Sequence, residues 1–297
     1  MDCYRLVYWD ISGVCNGRCP YCPSGSKSIL GNTHKKQSSF LSPEDLEAGL
    51  KFMIEKGVIH PSKTQIDLYN WGEPFLHPRF ELMLQIVSNL GFTISLISNG
   101  SVLKMIPPNA YWRLRFLSFS MSGFSQASYD KVHGFDFNTV IKNIEAIVSP
   151  IRLASPGTGV WIHYHLYNFN LSEVEAAKEW CRKINIGFHA YPATTCSITS
   201  YLYAPFNKNV EIDLLASRFD QGLIPRPEGW QCPQYDYLVL DEYSNILQCI
   251  ATDRLTSGHI VGSLREVNFD KLRGIRSSAA VCLLCHSLKI AENSHPL

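Results

Sequence analysis

The stretch GVCNGRCPYCPSG, from Gly13 to Gly25, contains three cysteines in the spacing C-x3-C-x2-C, namely Cys15, Cys19 and Cys22. A structural zinc site closes with four ligands, and a disulfide framework needs an even number of cysteines. Three neighbouring thiolates instead suit an iron–sulfur cluster in which one iron stays open to an external ligand. The motif therefore indicates such a cluster, on the loop that follows the first predicted strand.

The bulk composition narrows the class of protein. The chain has 297 residues, a hydrophobic fraction of 45% and a formal net charge of +1. The near-neutral charge predicts no nucleic-acid partner. The segment Met1–Arg5 is charged where a secretory signal would be apolar, and no apolar run is long enough for a membrane span. We therefore expect a cytoplasmic protein, in which ten cysteines indicate metal binding because disulfides are rare there.

Short β-type runs alternate with helical patterns over the first two thirds of the chain. This alternation predicts an α/β fold of parallel strands with helices outside. Six repeats are too few for an eight-stranded barrel, so we predict a partial, open (β/α)6 barrel. The predicted strands are Arg5–Ser12, Thr64–Tyr69, Phe92–Ser98, Arg115–Ser122, Val160–Asn168 and Ile184–Tyr191. The predicted helices are Pro43–Lys56 after an N-cap Ser42, Arg79–Leu90, Met105–Trp112, Asn138–Val148 and Ser172–Lys183.

The alternation stops near residue 195. A loop-rich stretch follows, and then a predicted β-hairpin of Tyr237–Leu240 and Ile246–Cys249. We therefore expect a barrel domain at residues 1–195 and a small C-terminal domain at residues 196–297.

One face of the predicted strands is polar. If the apolar side chains face the helices, period two turns hydroxyl, imidazole and carboxylate groups toward the barrel interior. These are Asp10, Ser12, Asp67, Tyr69, Ser95, Ser118, Ser120, His163, His165, His189 and Tyr191. Such groups are costly to bury without partners, so we expect the interior to hold a large polar ligand. The alternative is that they stand at strand ends and meet solvent.

With its C-x3-C-x2-C motif and partial barrel, the sequence resembles the radical S-adenosylmethionine (SAM) enzymes. The resemblance spans about residues 4–195 and implies that Cys15, Cys19 and Cys22 hold a [4Fe-4S] cluster whose open iron chelates SAM. In that family, one electron from the cluster splits SAM, and the resulting 5′-deoxyadenosyl radical abstracts hydrogen from an unactivated carbon of the substrate. A partial zinc site is the alternative for this motif.

Further segments match the family in order. WGEP, Trp71–Pro74, resembles the GGEP segment that contacts the SAM amine, with Trp71 in place of the first glycine. ISNGS, Ile97–Ser101, and SFSMSG, Ser118–Gly123, resemble segments that contact the methionine and ribose of SAM. The residues that this resemblance implies as SAM contacts are Tyr21, Gly72, Glu73, Pro74, Ser98, Asn99, Ser118 and Ser120. Serine and asparagine at strand ends are also ordinary turn residues.

A second set of cysteines lies in the C-terminal region: Cys232, Cys249, Cys282 and Cys285. This arrangement of a cysteine, a hairpin, a cysteine and a C-x2-C pair resembles the Twitch domain, a shortened SPASM module, with Ser244 where relatives often have glycine. It implies one auxiliary [4Fe-4S] cluster, with a four-thiolate zinc site as the alternative. Having no open iron, such a cluster would carry electrons.

Three residues are candidates for a role in the reaction. Cys196 follows the sixth predicted strand and could return hydrogen to a substrate radical, although a packed thiol is the simpler interpretation. His163 and His165 could bind substrate or accept a hydroxyl proton, or they could contact SAM or fill the interior.

These observations predict a radical SAM oxidoreductase that oxidises a polar small molecule, such as an aminocyclitol or a sugar, in natural-product biosynthesis. A relative with one Twitch cluster is a dehydrogenase of an aminocyclitol alcohol. The alternative is a peptide-modifying enzyme, an epimerase or a cross-linking maturase, although we expect no N-terminal domain to grip a leader peptide. A zinc-stabilised binding protein is a third alternative. A one-electron reductant such as flavodoxin or ferredoxin would be a partner.

Overall fold

A computed structural model of the chain describes residues 3–20, 22–25, 39–193, 232–253 and 258–287. Its strands are β1 Leu6–Trp9, β2 Gln65–Asp67, β3 Thr93–Ser98, β4 Leu114–Met121, β5 Gly159–Leu166, β6 Gly187–Pro192, β7 Tyr237–Leu240, β8 Asn245–Leu247 and β9 Ile260–Ser263. Its α-helices are α1 Pro43–Glu55, α2 Phe80–Asn89, α3 Gln126–Lys131, α4 Phe137–Ala154, α5 Val174–Lys183, α6 Phe269–Ser278 and α7 Ala280–Ser287. Within these ranges, no helix has the length and apolar character that crossing a bilayer requires.

The nine described strands form one sheet in the order β6-β5-β4-β3-β2-β1-β7-β8-β9. Strands β1 to β6 are parallel to their neighbours, as the alternating pattern predicts, and the sheet is not closed. The predicted partial barrel is therefore confirmed.

The C-terminal region continues the same sheet. Strand β7 pairs in parallel with β1, from Leu6 opposite Tyr237 to Trp9 opposite Leu240. Strands β8 and β9 then add antiparallel pairs, so the predicted hairpin is present but its second strand is Asn245–Leu247. The division at residue 195 remains a prediction.

Local signals account for most element boundaries. Ser42 caps α1, because its hydroxyl accepts a hydrogen bond from the backbone N–H of Asp45 at 3.0 Å. The helix predicted at Met105–Trp112 is instead a 3-10 helix, Pro108–Arg113, preceded by a second proline that has no backbone N–H to donate. Helix α4 runs past its expected end and keeps Pro150 inside it.

The strands place apolar and polar side chains on opposite faces, as period two predicts. Alternate residues of most strands, such as Ile162 and Tyr164 of β5, are fully buried against the helices. His163 and His165 of the same strand lie on the other, concave face. The helices therefore form the outer layer, and the concave face is polar along β4 to β6. At β1, β7 and β8, Leu6, Tyr8, Val239 and Leu247 form a second buried apolar cluster, separate from the core under the helices.

Candidate active site

The cysteine loop, Gly13 to Gly25, follows β1. Contacts within its own backbone fix its conformation. The Gly25 N–H donates to the Cys22 carbonyl at 3.0 Å, and the Cys22 N–H donates to the Cys19 carbonyl at 3.4 Å. A Cβ on Gly25 would lie 1.9 Å from the Cys19 carbonyl oxygen, so only glycine fits this turn. The turn holds the second and third cysteines of the motif near one another.

The sulfurs of Cys15 and Cys19 lie beside the same point, next to Gly17. They lie 3.4 and 3.5 Å from the position that a Cβ of Gly17 would take. The Gly17 N–H donates to the Cys15 sulfur at 3.4 Å, and the Asn99 side-chain amide donates to it at 3.8 Å. Hydrogen bonds to sulfur favour the thiolate, the form that binds iron.

This donor set fits an iron–sulfur cluster, because the sulfurs of Cys15 and Cys19 lie beside the same point and two N–H groups face the Cys15 sulfur. Among the described residues, no three Cys, His, Asp or Glu side chains lie close enough together to hold a single metal ion. A cubane distributes its ligands over separate iron corners, so its thiolates are spaced more widely than the ligands of one ion.

Asp10 organises the WGEP segment beside this loop. Its buried carboxylate accepts the backbone N–H groups of Asn70 at 2.7 Å, Trp71 at 2.9 Å and Gly72 at 3.1 Å. Burial raises the pKa of Asp10 to about 7, although these amides act in the opposite direction. The carboxylate of Asp10 therefore holds the backbone at the start of the WGEP segment in place, because it binds three consecutive N–H groups there.

Gly72 packs directly on the start of the cysteine loop. A Cβ at this position would lie 1.5 Å from the Ser12 carbonyl oxygen. The next residue, Glu73, donates its N–H to the Val14 carbonyl at 2.8 Å. The cysteine loop and the WGEP segment are therefore one packed unit.

Glu73 ties the end of β2 to the end of β3. Its buried carboxylate accepts the Ser98 hydroxyl at 2.8 Å, the Asn99 N–H at 2.7 Å and the Phe75 N–H at 3.0 Å. Burial raises the pKa of Glu73 to about 7. Glu73 and Ser98 therefore use their side chains on each other, whereas the side chain of Asn99 faces Cys15.

The concave face of β4, β5 and β6 brings together several of the predicted polar residues. Ser118 Oγ lies 3.4 Å from His163 Nε2, and His165 Nε2 lies 2.8 Å from the Tyr191 hydroxyl. The ring centroids of His163 and His189 are 6.1 Å apart. A group of hydrogen-bonding rings therefore lines this face near the ends of the strands.

A hydrogen bond from an indole joins the WGEP segment to the turn that carries Cys249. Trp71, which departs from the glycine of the family motif, donates its Nε1–H to the Thr252 carbonyl at 2.8 Å. The Thr252 hydroxyl in turn donates to the Cys249 carbonyl at 2.7 Å, and the Cys249 N–H donates to that hydroxyl at 3.1 Å. The WGEP segment is thus joined to the turn that carries Cys249.

A cleft between the two regions is lined by residues of both, including Asp10, Gly13, Gly72, Glu242 and Asp253. Glu242, in the hairpin turn, accepts the Ser39 hydroxyl at 2.7 Å.

Other predicted site residues are located as follows. Cys232 precedes β7, and Cys282 and Cys285 lie on α7, although the structure does not describe the side chain of Cys285. Tyr21 and Cys196 lie outside the described residues. Sequence reasoning missed the structural roles of Asp10 and Trp71. The carboxylate in an otherwise apolar strand and the tryptophan at a glycine position were the available signals.

Known proteins resemble this chain in sequence. The S-adenosylmethionine-dependent nucleotide dehydratase of Thermoplasmatales archaeon (strain ISO4-H5) is 32% identical over 100 residues, which cover 34% of this chain and 31% of that protein. The match therefore spans less than a third of that relative. The S-adenosylmethionine-dependent nucleotide dehydratase RSAD2 of Siniperca chuatsi is 24% identical over 280 residues, covering 82% of this chain and 68% of that protein.

Solved structures share the fold. SuiB of Streptococcus suis, bound to its precursor peptide SuiA, aligns with a TM-score of 0.60 at 16% identity, over 98% of this chain and 71% of SuiB. BtrN in complex with AdoMet and 2-DOIA aligns with a TM-score of 0.51 at 12% identity, over 98% of this chain and 89% of BtrN.

The sequence model of the radical SAM superfamily matches residues 9–181, more than half of the chain. This range contains the cysteine loop, the WGEP segment and strands β2 to β5. The chain therefore belongs to the radical SAM superfamily, whose members are enzymes that use SAM and a [4Fe-4S] cluster.

Proposed function

We propose that this enzyme oxidises a hydroxyl-bearing carbon of a polar small molecule, with an aminocyclitol or a sugar as the substrate class. The observation that carries the proposal is the Trp71–Thr252 hydrogen bond of 2.8 Å, which links the WGEP segment to the turn that carries Cys249. A second cluster at that turn would be close enough to the reaction to receive an electron. The polar concave face supports the substrate class.

The first cluster would be held by Cys15, Cys19 and Cys22, and when bound it supplies the reductive cleavage of SAM. Gly72, Pro74, Asn99, Ser118, Ser120 and Tyr21 are proposed to contact SAM. Asp10, Glu73 and Ser98 support that site by their hydrogen bonds, since their polar side-chain atoms accept or donate within the protein. We therefore assign the side chains of Glu73 and Ser98 to positioning.

Oxidation requires two further transfers after hydrogen abstraction. The substrate must lose one proton from its hydroxyl and one electron from the radical carbon as the carbonyl bond forms. We propose that His165 accepts the proton, with its ring held by Tyr191 at 2.8 Å, and that His163 orients the substrate. The electron would pass to a Twitch-type [4Fe-4S] cluster on Cys232, Cys249, Cys282 and Cys285.

The cofactor proposal is tested by iron analysis after anaerobic reconstitution. The wild-type chain should bind about eight irons, and Cys249→Ala should bind about half as many. Cys3→Ala, which removes a cysteine outside both sets, is the matched control and should keep the full content. Zinc in place of iron at the C-terminal cysteines would contradict the proposal.

The reaction is tested with SAM, dithionite and a panel of aminocyclitols and sugars. The expected products are 5′-deoxyadenosine and a substrate that has lost a pair of hydrogen atoms. Cys249→Ala should still cleave SAM but form little oxidised product. Wild-type protein that cleaves SAM without oxidising any member of the panel would contradict the substrate class.

Dehydration of a nucleotide is a second candidate, favoured by the names of the two relatives. The substrate radical takes up an electron in this reaction, whereas it gives up an electron in the oxidation. After losing a hydrogen atom, the substrate would expel its hydroxyl as water only if it took up one electron and one proton. Nucleoside triphosphates therefore belong in the panel, and loss of water from one of them would select this function.

Peptide epimerisation, with Cys196 as hydrogen donor, is distinguished by heavy water. Return of hydrogen from a thiol would install deuterium at carbon, whereas oxidation would not.

A further inference from the structure

Arg276 is a buried cation in the C-terminal region. Its side chain lies in α6 and is only 1% exposed. Its Nε donates to the Gln248 carbonyl and its Nη1 donates to the Tyr237 carbonyl, both at 2.5 Å. Its Nη2 is buried without a hydrogen-bond partner. Within the described part of the chain, no carboxylate forms an ion pair with it.

This environment is unfavourable for a cation by itself. Moving a charge out of water is costly unless an opposite charge or enough hydrogen bonds offset the loss. Two neutral carbonyls offset part of it. A nearby anion would provide the remaining stabilisation.

The segments that Arg276 joins all lead to cysteines. Gln248 directly precedes Cys249, and Tyr237 begins β7, just after the turn that starts at Cys232. The Tyr235 N–H donates to the Cys232 carbonyl at 3.2 Å within that turn, so Cys232 is fixed beside the start of β7. Helix α6 packs against α7, which carries Cys282. Arg276 therefore lies where the cysteine-bearing segments meet.

We infer that Arg276 stabilises an anionic four-cysteine iron–sulfur cluster and raises its reduction potential. The inference rests on the second cluster of the proposed function but not on the substrate or the reaction. Four thiolates outweigh the positive charge of the iron–sulfur core, so the cluster is a net anion, and net charge and hydrogen bonding set its potential. Adding an electron increases the negative charge, and a nearby guanidinium therefore favours reduction.

The experiment isolates the C-terminal cluster. A background variant with Cys15, Cys19 and Cys22 each changed to Ala carries only that cluster, and its potential is measured by a redox titration followed by electron paramagnetic resonance. Arg276→Gln and Arg276→Lys are made in this background. Arg152→Gln is the matched control, because Arg152 of α4 also donates to two backbone carbonyls, those of Pro156 and Thr158, on a helix without cysteines.

Loss of the charge should disfavour reduction by about tenfold or more. Even at about 10 Å, a unit charge in an effective dielectric of about 20 contributes that much. Tenfold corresponds to a fall of about 59 mV for a one-electron couple. Arg276→Lys should retain most of the potential, and Arg152→Gln should leave it unchanged.

Each outcome decides between the inferences. A wild-type potential in Arg276→Gln overturns the role of Arg276 while leaving the second cluster intact. Failure of Arg276→Gln to load iron, with normal loading of Arg276→Lys, supports the role of the charge. If neither variant loads iron, Arg276 has a packing role and the inferred role of its charge is overturned. A background protein without a redox-active cluster shows that the second cluster itself is wrong, before any change at Arg276.

Discussion

Replacing Trp71 by phenylalanine should uncouple the two cysteine-bearing regions. Phenylalanine keeps an aromatic ring but removes the N–H that reaches the Thr252 carbonyl at 2.8 Å. Thr252 is fully buried, so its carbonyl would lose this donor away from water. An unsatisfied buried polar group costs about 1–3 kcal/mol, and that is the expected loss in free energy of unfolding.

The matched control is Trp180→Phe. The Trp180 indole donates to Glu145 Oε1 at the same distance, 2.8 Å, but at an exposed site. Water replaces that hydrogen bond, so the expected loss is below about 1 kcal/mol. Urea unfolding at fixed pH measures both values, provided that the denaturant slope is unchanged.

Trp71→Phe should also change function in a specific way. Because the Cys249 turn would be held less firmly, the fraction of cleaved SAM that yields oxidised substrate should fall, while SAM cleavage itself continues. The reasoning is refuted if Trp71→Phe and Trp180→Phe lose equal stability and both keep wild-type coupling of SAM cleavage to product.

Two further predictions concern buried carboxyl groups and a glycine near the proposed SAM site. Burial raises the pKa values of Asp10, Asp67 and Glu73 to about 7, well above those of unfolded carboxyl groups. Folding therefore favours their protonated forms, so the free energy of unfolding of the apoprotein should fall as pH rises from about 4 to about 7. Folding strengthens proton binding by each of these carboxyl groups. For one group, every tenfold increase in that proton affinity adds about 1.4 kcal/mol to the fall in the free energy of unfolding. Urea unfolding across this range measures the slope, and a rise instead would contradict the assignment. Gly72→Ala should greatly reduce iron loading, because its Cβ would stand 1.5 Å from a backbone oxygen, whereas Gly157→Ala meets nothing within 4 Å and should load normally.

Local sequence determined much of this protein. The spacing of Cys15, Cys19 and Cys22 and the order of the segments after them indicated the family that the superfamily match then showed. The six parallel strands followed from the alternation of β-type runs with helical patterns, and the Ser42 cap followed from a hydroxyl at a helix start, since both depend on residues close together in the chain. The polar face of the strands was predictable for the same reason.

Tertiary structure alone decided how the distant segments combine. The pairing of β1 with β7 joins residues more than 200 positions apart, and no periodicity encodes such a partner. The Asp10 carboxylate meets amides of residues 70–72, the Trp71 indole meets Thr252, and Arg276 reaches the carbonyls of Tyr237 and Gln248 only once the chain has folded. Hydrogen bonds depend on distances of about 3 Å, which packing sets and sequence separation does not.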